Sequence, residues 1–391
     1  MRVVIVAACR TPIGKFGKSL LPVSAANLGA VAAKDLMTRA GIKPKMVEEV
    51  VFGNVISAGL GQNIARQVAV FSGVPFHAGA SSVNMVCGSG MKAVIMAAQA
   101  IKAGDKEVVL AGGTESMSNA PHLLMGLRWG NASGGAKVED AMIKDGLWDV
   151  YNEFHMGMTG ERVAKKYRVT RKEADEFAYE SHMKAAKAQR AGRFRDETVP
   201  VSLGSEGRGG MFGADECIRS DTTLDKLAAL KPAFAPSGIL TAGNSSQLSD
   251  GASALLVASD DAAKRLGLKP LAEIVAYAAG GTRPEDVMEA PIPTVKALLS
   301  TTGLSIEDFG LVEYNEAYSA SSIVVRDRLG IPEERFNVNG GAVALGHPIG
   351  CSGSRIITTL VYEMRRRGVK RGLATLCMGG GNALAMAVTA R

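Results

Sequence analysis

The sequence is poor in cysteine and poorer in paired cysteine: five residues in 391, an odd number with no CxxC spacing. That excludes a disulfide framework and argues against a structural zinc site. Aromatic residues make up only 5%, and the basic residues are not interleaved with them, so a stacking platform for nucleic acid is not encoded. No apolar run reaches the roughly 18 residues of a membrane span. The opening Met1-Arg2-Val3-Val4-Ile5-Val6 is too short for a secretory core and soon meets Arg10, Pro12 and Lys15. The last residues, Val388-Thr389-Ala390-Arg391, carry no address signal. A cytoplasmic, soluble protein is the expectation, with neither membrane nor nucleic acid as partner.

Hydrophobic residues at 47% and charged residues at 21% are ordinary globular proportions, which excludes disordered and collagen-like classes. The length suggests two or three domains. Glycine is abundant, 46 residues, clustered at the ends of apolar runs where tight turns and close backbone approaches need it. The net charge of +7 comes from dispersed Lys and Arg. The one tight cluster, Arg365-Arg366-Arg367, falls late in a helical pattern, where cations suit the dipole.

A strand, Val3 to Ala7, precedes a helix whose Leu28, Val31, Ala32, Leu36 and Ala40 share a face and which stops at Gly41. A second strand covers Val50 to Val55. A β-leaning run from Ser81 to Val86 then leads through Cys87-Gly88-Ser89-Gly90 into a helix presenting Met91, Val94, Ile95, Ala98 and Ile101. Gly104 ends it, and a short buried strand, Val108 to Ala111, runs into Gly112-Gly113. The C-terminal region repeats this plan. Gly350-Cys351-Ser352-Gly353 opens a helix with Ile356, Ile357, Leu360, Val361 and Met364, ended by Gly368. A short buried strand, Leu373 to Leu376, leads to Cys377-Met378-Gly379-Gly380-Gly381. The pattern predicts a duplicated α/β unit with parallel sheets covered on both faces. From about Ser118 to Leu248 the alternation stops. This polar, methionine-rich stretch, helical from Gly160 to Gly192, reads as a loop domain covering an active site.

Four motifs stand at strand ends or strand–helix turns, where α/β proteins place ligands. Cys87 at a helix N-terminus is expected to have a lowered thiol pKa and nucleophilic character, although an isolated cysteine is more often a small core residue. His347, in a glycine-flanked turn and followed by Pro348, can activate a thiol or donate to an oxyanion. Cys377 precedes three glycines whose N–H groups form an anion-binding nest. Asn315, after the strand starting at Leu311, is alternatively a helix cap. Together, two cysteines and a histidine on equivalent turns of a duplicated unit are what acyl transfer through a thioester requires.

The motifs Asn84 to Gly90 (NMVCGSG), Gly112 to His122 (GGTESMSNAPH), His155 to Gly157 (HMG), Asn315 to Tyr318 (NEAY), Gly346 to Gly353 (GHPIGCSG) and Cys377 to Gly381 (CMGGG) span essentially the whole chain. In these the sequence closely resembles the thiolase family, within it the biosynthetic acetyl-CoA acetyltransferases. The resemblance implies an α/β fold of two duplicated βαβαβαββ halves in a five-layered αβαβα sandwich. Its halves would be 1-117 with 249-269 and 270-391, with the loop domain at 118-248. It implies Cys87 as the acyl-accepting nucleophile and Cys377 as the acid/base. His347 would help activate Cys87 and, with a water held by Asn315, form one oxyanion hole; the N–H groups of Cys87 and Gly379 would form the other. Leu147, His155 and Met156 match positions lining the acyl and pantetheine tunnel, and Ala317 and Tyr318 of the NEAY motif join the substrate-binding set. Arg219, Phe234, Ala242 and Ser246 match positions contacting coenzyme A. No metal and no tightly bound cofactor is implied. The partners are acetyl-CoA, acetoacetyl-CoA and CoA, and the assembly is a homotetramer or dimer.

Four positions depart from the family pattern: Tyr318 where Phe is usual, Gly160 for Ala, Cys351 for Ala beside His347, and Lys226 where some relatives carry a small hydroxyl residue. They are expected to adjust substrate fit and leave the chemistry intact. The reading is an acetyl-CoA C-acetyltransferase joining two acetyl-CoA reversibly. The alternatives are a degradative 3-ketoacyl-CoA thiolase of β-oxidation and a non-catalytic scaffold that binds CoA esters.

Overall fold

The computed structural model describes residues 1–130, 135, 137–204 and 209–391. Nine strands form its main sheet: β1 (Val3–Arg10), β2 (Glu49–Gly53), β3 (Gly79–Val83), β4 (Val108–Ser116), β5 (Ser249–Ser259), β6 (Ala272–Gly281), β7 (Leu311–Tyr314), β8 (Arg371–Met378) and β9 (Asn382–Ala390). Their order is β7-β8-β9-β6-β1-β5-β4-β2-β3, with the two-residue strand Gly14–Lys15 beside β5. Between β6 and β1 the ladder is reduced to Val4↔Glu273 and Ile5↔Ala272, so the sheet is two halves joined at a narrow seam.

Alternation along the strands produces layers, because successive side chains leave a strand on opposite faces. In β1, Val4 and Val6 enter one apolar cluster with Leu28, Ala32 and Leu36 of α1 (Ala25–Ala40) and Ile64 and Val68 of α2 (Ile64–Phe71). Val3, Ile5 and Ala8 enter another, shared with α3 (Ser89–Ala103) and the long helix Ile349–Arg367. The same split divides β9: Leu384, Met386 and Val388 face the inner helices, while Ala385 and Ala387 face a third cluster. That third cluster holds the helices Pro291–Thr302 and Ser319–Leu329. The layers are therefore α1 and α2, the first half-sheet, the inner helix pair, the second half-sheet, and the helices Pro291–Thr302 and Ser319–Leu329. The anticipated αβαβα sandwich is present. The residues predicted for the apolar faces of the two inner helices, Met91 to Ile101 and Ile356 to Met364, all lie in the central cluster.

The expectation of parallel sheets is corrected. Among the described strands only β2 with β3, β2 with β4, and β7 with β8 are parallel. The longest ladders, β4–β5, β1–β5, β6–β9 and β8–β9, are antiparallel. The reason lies at the ends of both halves. The chain leaves β4, passes through the whole insertion and returns as β5 in the opposite sense, while β8 folds straight back into β9 through Gly379-Gly380-Gly381, the last two at φ 84 and 86. Cys377 thus sits at a hairpin, and β9 is the last buried strand. Two strands also differ in length from the sequence reading: β4 runs through its glycines to Ser116, and β3 ends at Val83.

Between β4 and β5, regular structure among the described residues consists of short strand pairs, the helices α4 (Gly157–Tyr167) and α5 (Arg171–Arg190), the five-residue helix Leu224–Ala228 and a few single helical turns. The helical stretch expected from Gly160 to Gly192 is two helices, broken at Arg168 (φ 56) and restarted by a capping box of Thr170 and Glu173. In chain order the long helices of the second half are α6 (Pro291–Thr302), α7 (Ser319–Leu329) and α8 (Ile349–Arg367), with the single turn Ala342–Leu345 between the last two. The arginine cluster ends α8 as predicted, with Arg366 and Arg367 paired to Glu363.

Candidate active site

The two inner helices cross at glycines. A Cβ on Gly90 of α3 would lie 2.8 Å from the Ser354 backbone nitrogen, and one on Gly353 of α8 would lie 2.5 Å from that of Met91. This close approach is why both halves carry a Ser-Gly pair. It also brings the turns that open the two helices to one end of the sandwich.

The turn before α3 leaves β3 at Val83 and doubles back over Asn84 to Gly88. Val86 adopts φ 47, a conformation that a β-branched residue rarely takes. Three hydrogen bonds hold it there: Val86 N–H donates to Asn84 Oδ1 (3.0 Å), and the Ser89 N–H and hydroxyl both donate to the Val86 carbonyl (3.0 and 2.6 Å). A strained residue clamped beside a thiol is a sign of a functional turn. The backbone N–H groups of Gly379 and of Cys87 itself act to lower the titration of the Cys87 thiol. The thiol is nevertheless pushed up to about 12, first by burial and then by the neighbouring Cys377. This corrects the expectation of a lowered pKa: loss of hydration outweighs the helix terminus, and the resting group is a thiol.

His347 is buried, and burial together with the Arg355 charge lowers it to about 3, so the ring is neutral. Ser352 Oγ lies 2.6 Å from Nδ1 and donates its own proton to the Pro348 carbonyl at 3.0 Å. Nδ1 must then carry the hydrogen, which leaves Nε2 as the basic nitrogen. Asn315 Nδ2 stands 3.3 Å from Nε2, and Asn315 is fully buried. Asn315 is not a helix cap, since α7 begins after Tyr318. Cys377 Sγ lies 3.7 Å from the Tyr314 hydroxyl and 3.8 Å from Met288 Sδ, and burial pushes its thiol up to about 11.

These groups meet in one inner chamber of about 50 Å³, lined by Cys87, His347, Cys377 and Gly379 together with Leu147, Met156, Ser246, Ala317 and Tyr318. It adjoins an outer cavity of about 350 Å³ that shares Leu147, Ser246, Tyr318 and His347 and adds His155, Arg219, Phe234 and Ala242. Every residue that the resemblance assigns to catalysis or substrate binding therefore lines these two adjoining spaces except Asn315, which stands against His347. Phe234 stacks on His155 (centroids 5.1 Å, 17°) and meets Tyr318 edge-on (5.7 Å). Packing explains the glycines nearby: a Cβ on Gly157 would lie 2.2 Å from the Phe234 ring, and one on Gly160 would lie 2.9 Å from that of Tyr318. Lys226 is on the surface, paired with Asp221 at 2.9 Å, and Cys351 is buried. Among the described residues no cluster of His, Cys, Asp and Glu could hold a metal ion, and no helix is long and apolar enough to cross a membrane.

Ser352 was not singled out from the sequence, nor was Glu115. Glu115 accepts from the N–H groups of Val55, Ile56 and Gly350 and from Asn54 Nδ2, and so ties the start of α8 to the end of β2. Its place within GGTESMSNAPH was the available signal.

The family models for the thiolase N-terminal domain and the thiolase C-terminal domain match residues 3–261 and 268–390. The chain belongs to the thiolase family. It is 51% identical over 387 residues to the acetyl-CoA acetyltransferase of Cupriavidus necator, covering 99% of this chain and 98% of the relative. The acetyl-CoA acetyltransferase of Chromobacterium violaceum is likewise 51% identical over 389 residues, with 99% of each chain covered. The thiolase fold is shared with human mitochondrial 3-ketoacyl-CoA thiolase, solved in complex with CoA, at a TM-score of 0.96 and 38% identity, covering 100% of this chain and 98% of that one.

Proposed function

We propose that this thiolase is an acetyl-CoA C-acetyltransferase, converting two acetyl-CoA reversibly to acetoacetyl-CoA and CoA through an acetyl-Cys87 intermediate. The observation that carries the reading is the meeting of Cys87, His347, Cys377 and Gly379 in a chamber of only about 50 Å³. Relatives named acetyl-CoA acetyltransferase at about half identity support the substrate.

The neutral His347 and the two protonated thiols fix the order of proton movements. As Cys87 sulfur attacks the thioester carbonyl, its proton passes to His347 Nε2, and the carbonyl oxygen is received by the N–H groups of Cys87 and Gly379. The departing CoA sulfur takes the Cys377 proton. The enzyme is then left with an acetyl thioester, an imidazolium and a thiolate, in balance. Cys377 next removes the α-proton of a second acetyl-CoA, and the imidazolium, with a water held by Asn315, meets the enolate oxygen. The enolate carbon attacks the acetyl group, acetoacetyl-CoA forms, and His347 returns the proton to Cys87. Burial makes this economical, because charge appears only as the reaction creates it.

In this reading residues 118-248 are a cover domain between the halves 1-117 with 249-269 and 270-391. Leu147, His155 and Met156 line the acyl end; Arg219, Phe234, Ala242 and Ser246, along the outer cavity, take CoA, with Arg219 and Lys15 as the cations for its phosphates. Self-association, as a tetramer or dimer, is consistent with the exposed strand β3 and with exposed Leu124, Met125, Leu127 and Trp129. Sedimentation tests it.

The deciding experiment is thiolysis across 3-ketoacyl-CoA chain length. Acetoacetyl-CoA is expected to turn over fastest; faster cleavage of long chains would replace this reading by a degradative thiolase, which the likeness to the human mitochondrial enzyme favours. Incubation with acetyl-CoA should acetylate the Cys87 peptide, and an unmodified peptide would support the non-catalytic scaffold.

A further inference from the structure

Cys377 must serve once as an acid and once as a base, in a site with little to hydrate either form. One neighbouring side chain is built to accompany that change. Tyr314 ends β7 opposite Thr375 of β8, and Cys377 lies two residues further along the same face. The tyrosine is fully buried. Its ring stacks on Phe336 (5.9 Å, 25°), and its backbone is held at both ends by Asn337, whose Oδ1 accepts from Tyr314 N–H (2.8 Å) and whose Nδ2 donates to the Tyr314 carbonyl (2.9 Å). The hydroxyl is thus presented at a fixed point, 3.7 Å from Cys377 Sγ and 3.5 Å from Ser321 Oγ. Ser321 gives its own proton to the Tyr318 carbonyl at 2.8 Å, leaving its lone pairs free to accept.

Resting on the assignment of Cys377 as the acid/base, we infer that Tyr314 is its positioning residue, the phenol hydrogen turning between Ser321 and Cys377 as the thiol loses and regains its proton. With Cys377 protonated, S–H donates to the Tyr314 oxygen and the phenol donates to Ser321. With Cys377 ionised, the phenol rotates about its C–O bond and donates to the sulfur. No heavy atom moves, and every polar group keeps a partner in both states. A hydrogen bond to an anion is about twice as strong as one between neutral groups, so the pair favours the thiolate. Met288, on the same sulfur, has no hydrogen to give. The phenol does not compete as an acid, because its burial and the neighbouring Cys377 hold its own titration well above the usual tyrosine range.

The test reads thiolate directly. In a Cys87→Ala background, Cys377 is alkylated with iodoacetamide between about pH 7 and 9.5, and its peptide is quantified by mass spectrometry. On that limb the rate follows the thiolate fraction, so a vertical offset reports a change in thiol acidity. Tyr314→Phe, which keeps the ring and removes the hydroxyl, is expected to slow alkylation about tenfold at each pH, equivalent to about one pH unit. Ser321→Ala, which removes the phenol's alternative acceptor and leaves its bond to the thiolate, is expected to leave the rate unchanged or raise it. In the otherwise unaltered enzyme, Tyr314→Phe should lower kcat about tenfold with KM for acetoacetyl-CoA within about twofold. Coincident alkylation profiles for Tyr314→Phe and its parent, or a slowing by both variants, would overturn the inference and show that Tyr314 is only packing. Failure of the enzyme to make or cleave acetoacetyl-CoA would overturn the acetyltransferase reading, while the alkylation comparison would still decide the role of Tyr314.

Discussion

At His347 a single hydroxyl sets the chemistry of the ring. Ser352 receives the Nδ1 hydrogen because its own proton is committed to the Pro348 carbonyl, and the lone pair is thereby directed to Nε2. Ser352→Ala should release this constraint, with two tautomers sharing the site and the ring less firmly held. The expected outcome is a fall in kcat of about 10- to 100-fold with little change in KM, as for other groups that orient a catalytic imidazole. Steady-state thiolysis checks it, and an unchanged kcat would show that the ring is oriented by its packing alone. Cys377→Ala should spare binding of CoA esters, measured by calorimetry, while slowing both half-reactions. Cys87, His347 and Cys377 were legible in the sequence because rare reactive side chains stood in glycine turns. Ser352 and Glu115 were not, since hydroxyls and carboxylates are common: Ser352 matters only through the turn geometry that sets it against His347, and Glu115 only through partners far away in the chain. Thiol acidity was misjudged for a related reason: the helix terminus is local and visible, whereas the burial that raises Cys87 is assembled by the whole site.

Elements were legible where apolar periodicity was strong. The inner helices came out with their buried faces because a helix enclosed by two half-sheets has to present Met91, Val94, Ile95 and their counterparts Ile356, Ile357 and Leu360 to them. Strand direction was not legible, because alternation looks the same whichever way a neighbour runs. The hairpin at Gly379-Gly380-Gly381 could have been read as a reversal, yet the nest reading absorbed those glycines. The helix crossing gives the sharpest prediction here. Gly353→Ala places a methyl 2.5 Å from the Met91 backbone nitrogen, where no side-chain rotation relieves the clash. The inner helices must separate, with a cost of about 2–4 kcal/mol in stability. Because each helix begins at a turn that carries a proposed catalytic group, activity should fall with it. Urea denaturation together with kcat measures both, and a variant as stable and active as the parent would mean that the pair yields without loss.

For the whole molecule, duplication could be read from the repeat of turn, helix, glycine and strand, and insertion from the polar stretch where that alternation stops, while the order of five layers came only by resemblance, because nothing in a strand's sequence says which sheet face meets which helix. The buried interior also sets how stability responds to pH. His347 titrates near 3 in the folded protein against an ordinary 6.5, so folding excludes its proton. Its contribution is fully present above about pH 6.5 and declines as pH falls toward 3, since the unfolded chain alone binds the proton across that window. Glu115 and Glu313 act in the opposite sense: burial pushes them up to about 7 and 8, so acidification through that range favours the folded form. The two effects overlap, and the total pH profile would conceal each. A His347→Asn variant separates them, because it keeps both carboxylates and removes only the imidazole. Its stability relative to the parent should improve by about 2 kcal/mol between pH 7.5 and pH 5, whatever the offset at pH 7.5. Urea denaturation of both proteins at the two pH values measures that difference. A constant gap would mean that His347 accepts its proton in the folded state, and the neutral imidazole that the proposed mechanism uses to receive hydrogen from Cys87 would then be confined to higher pH.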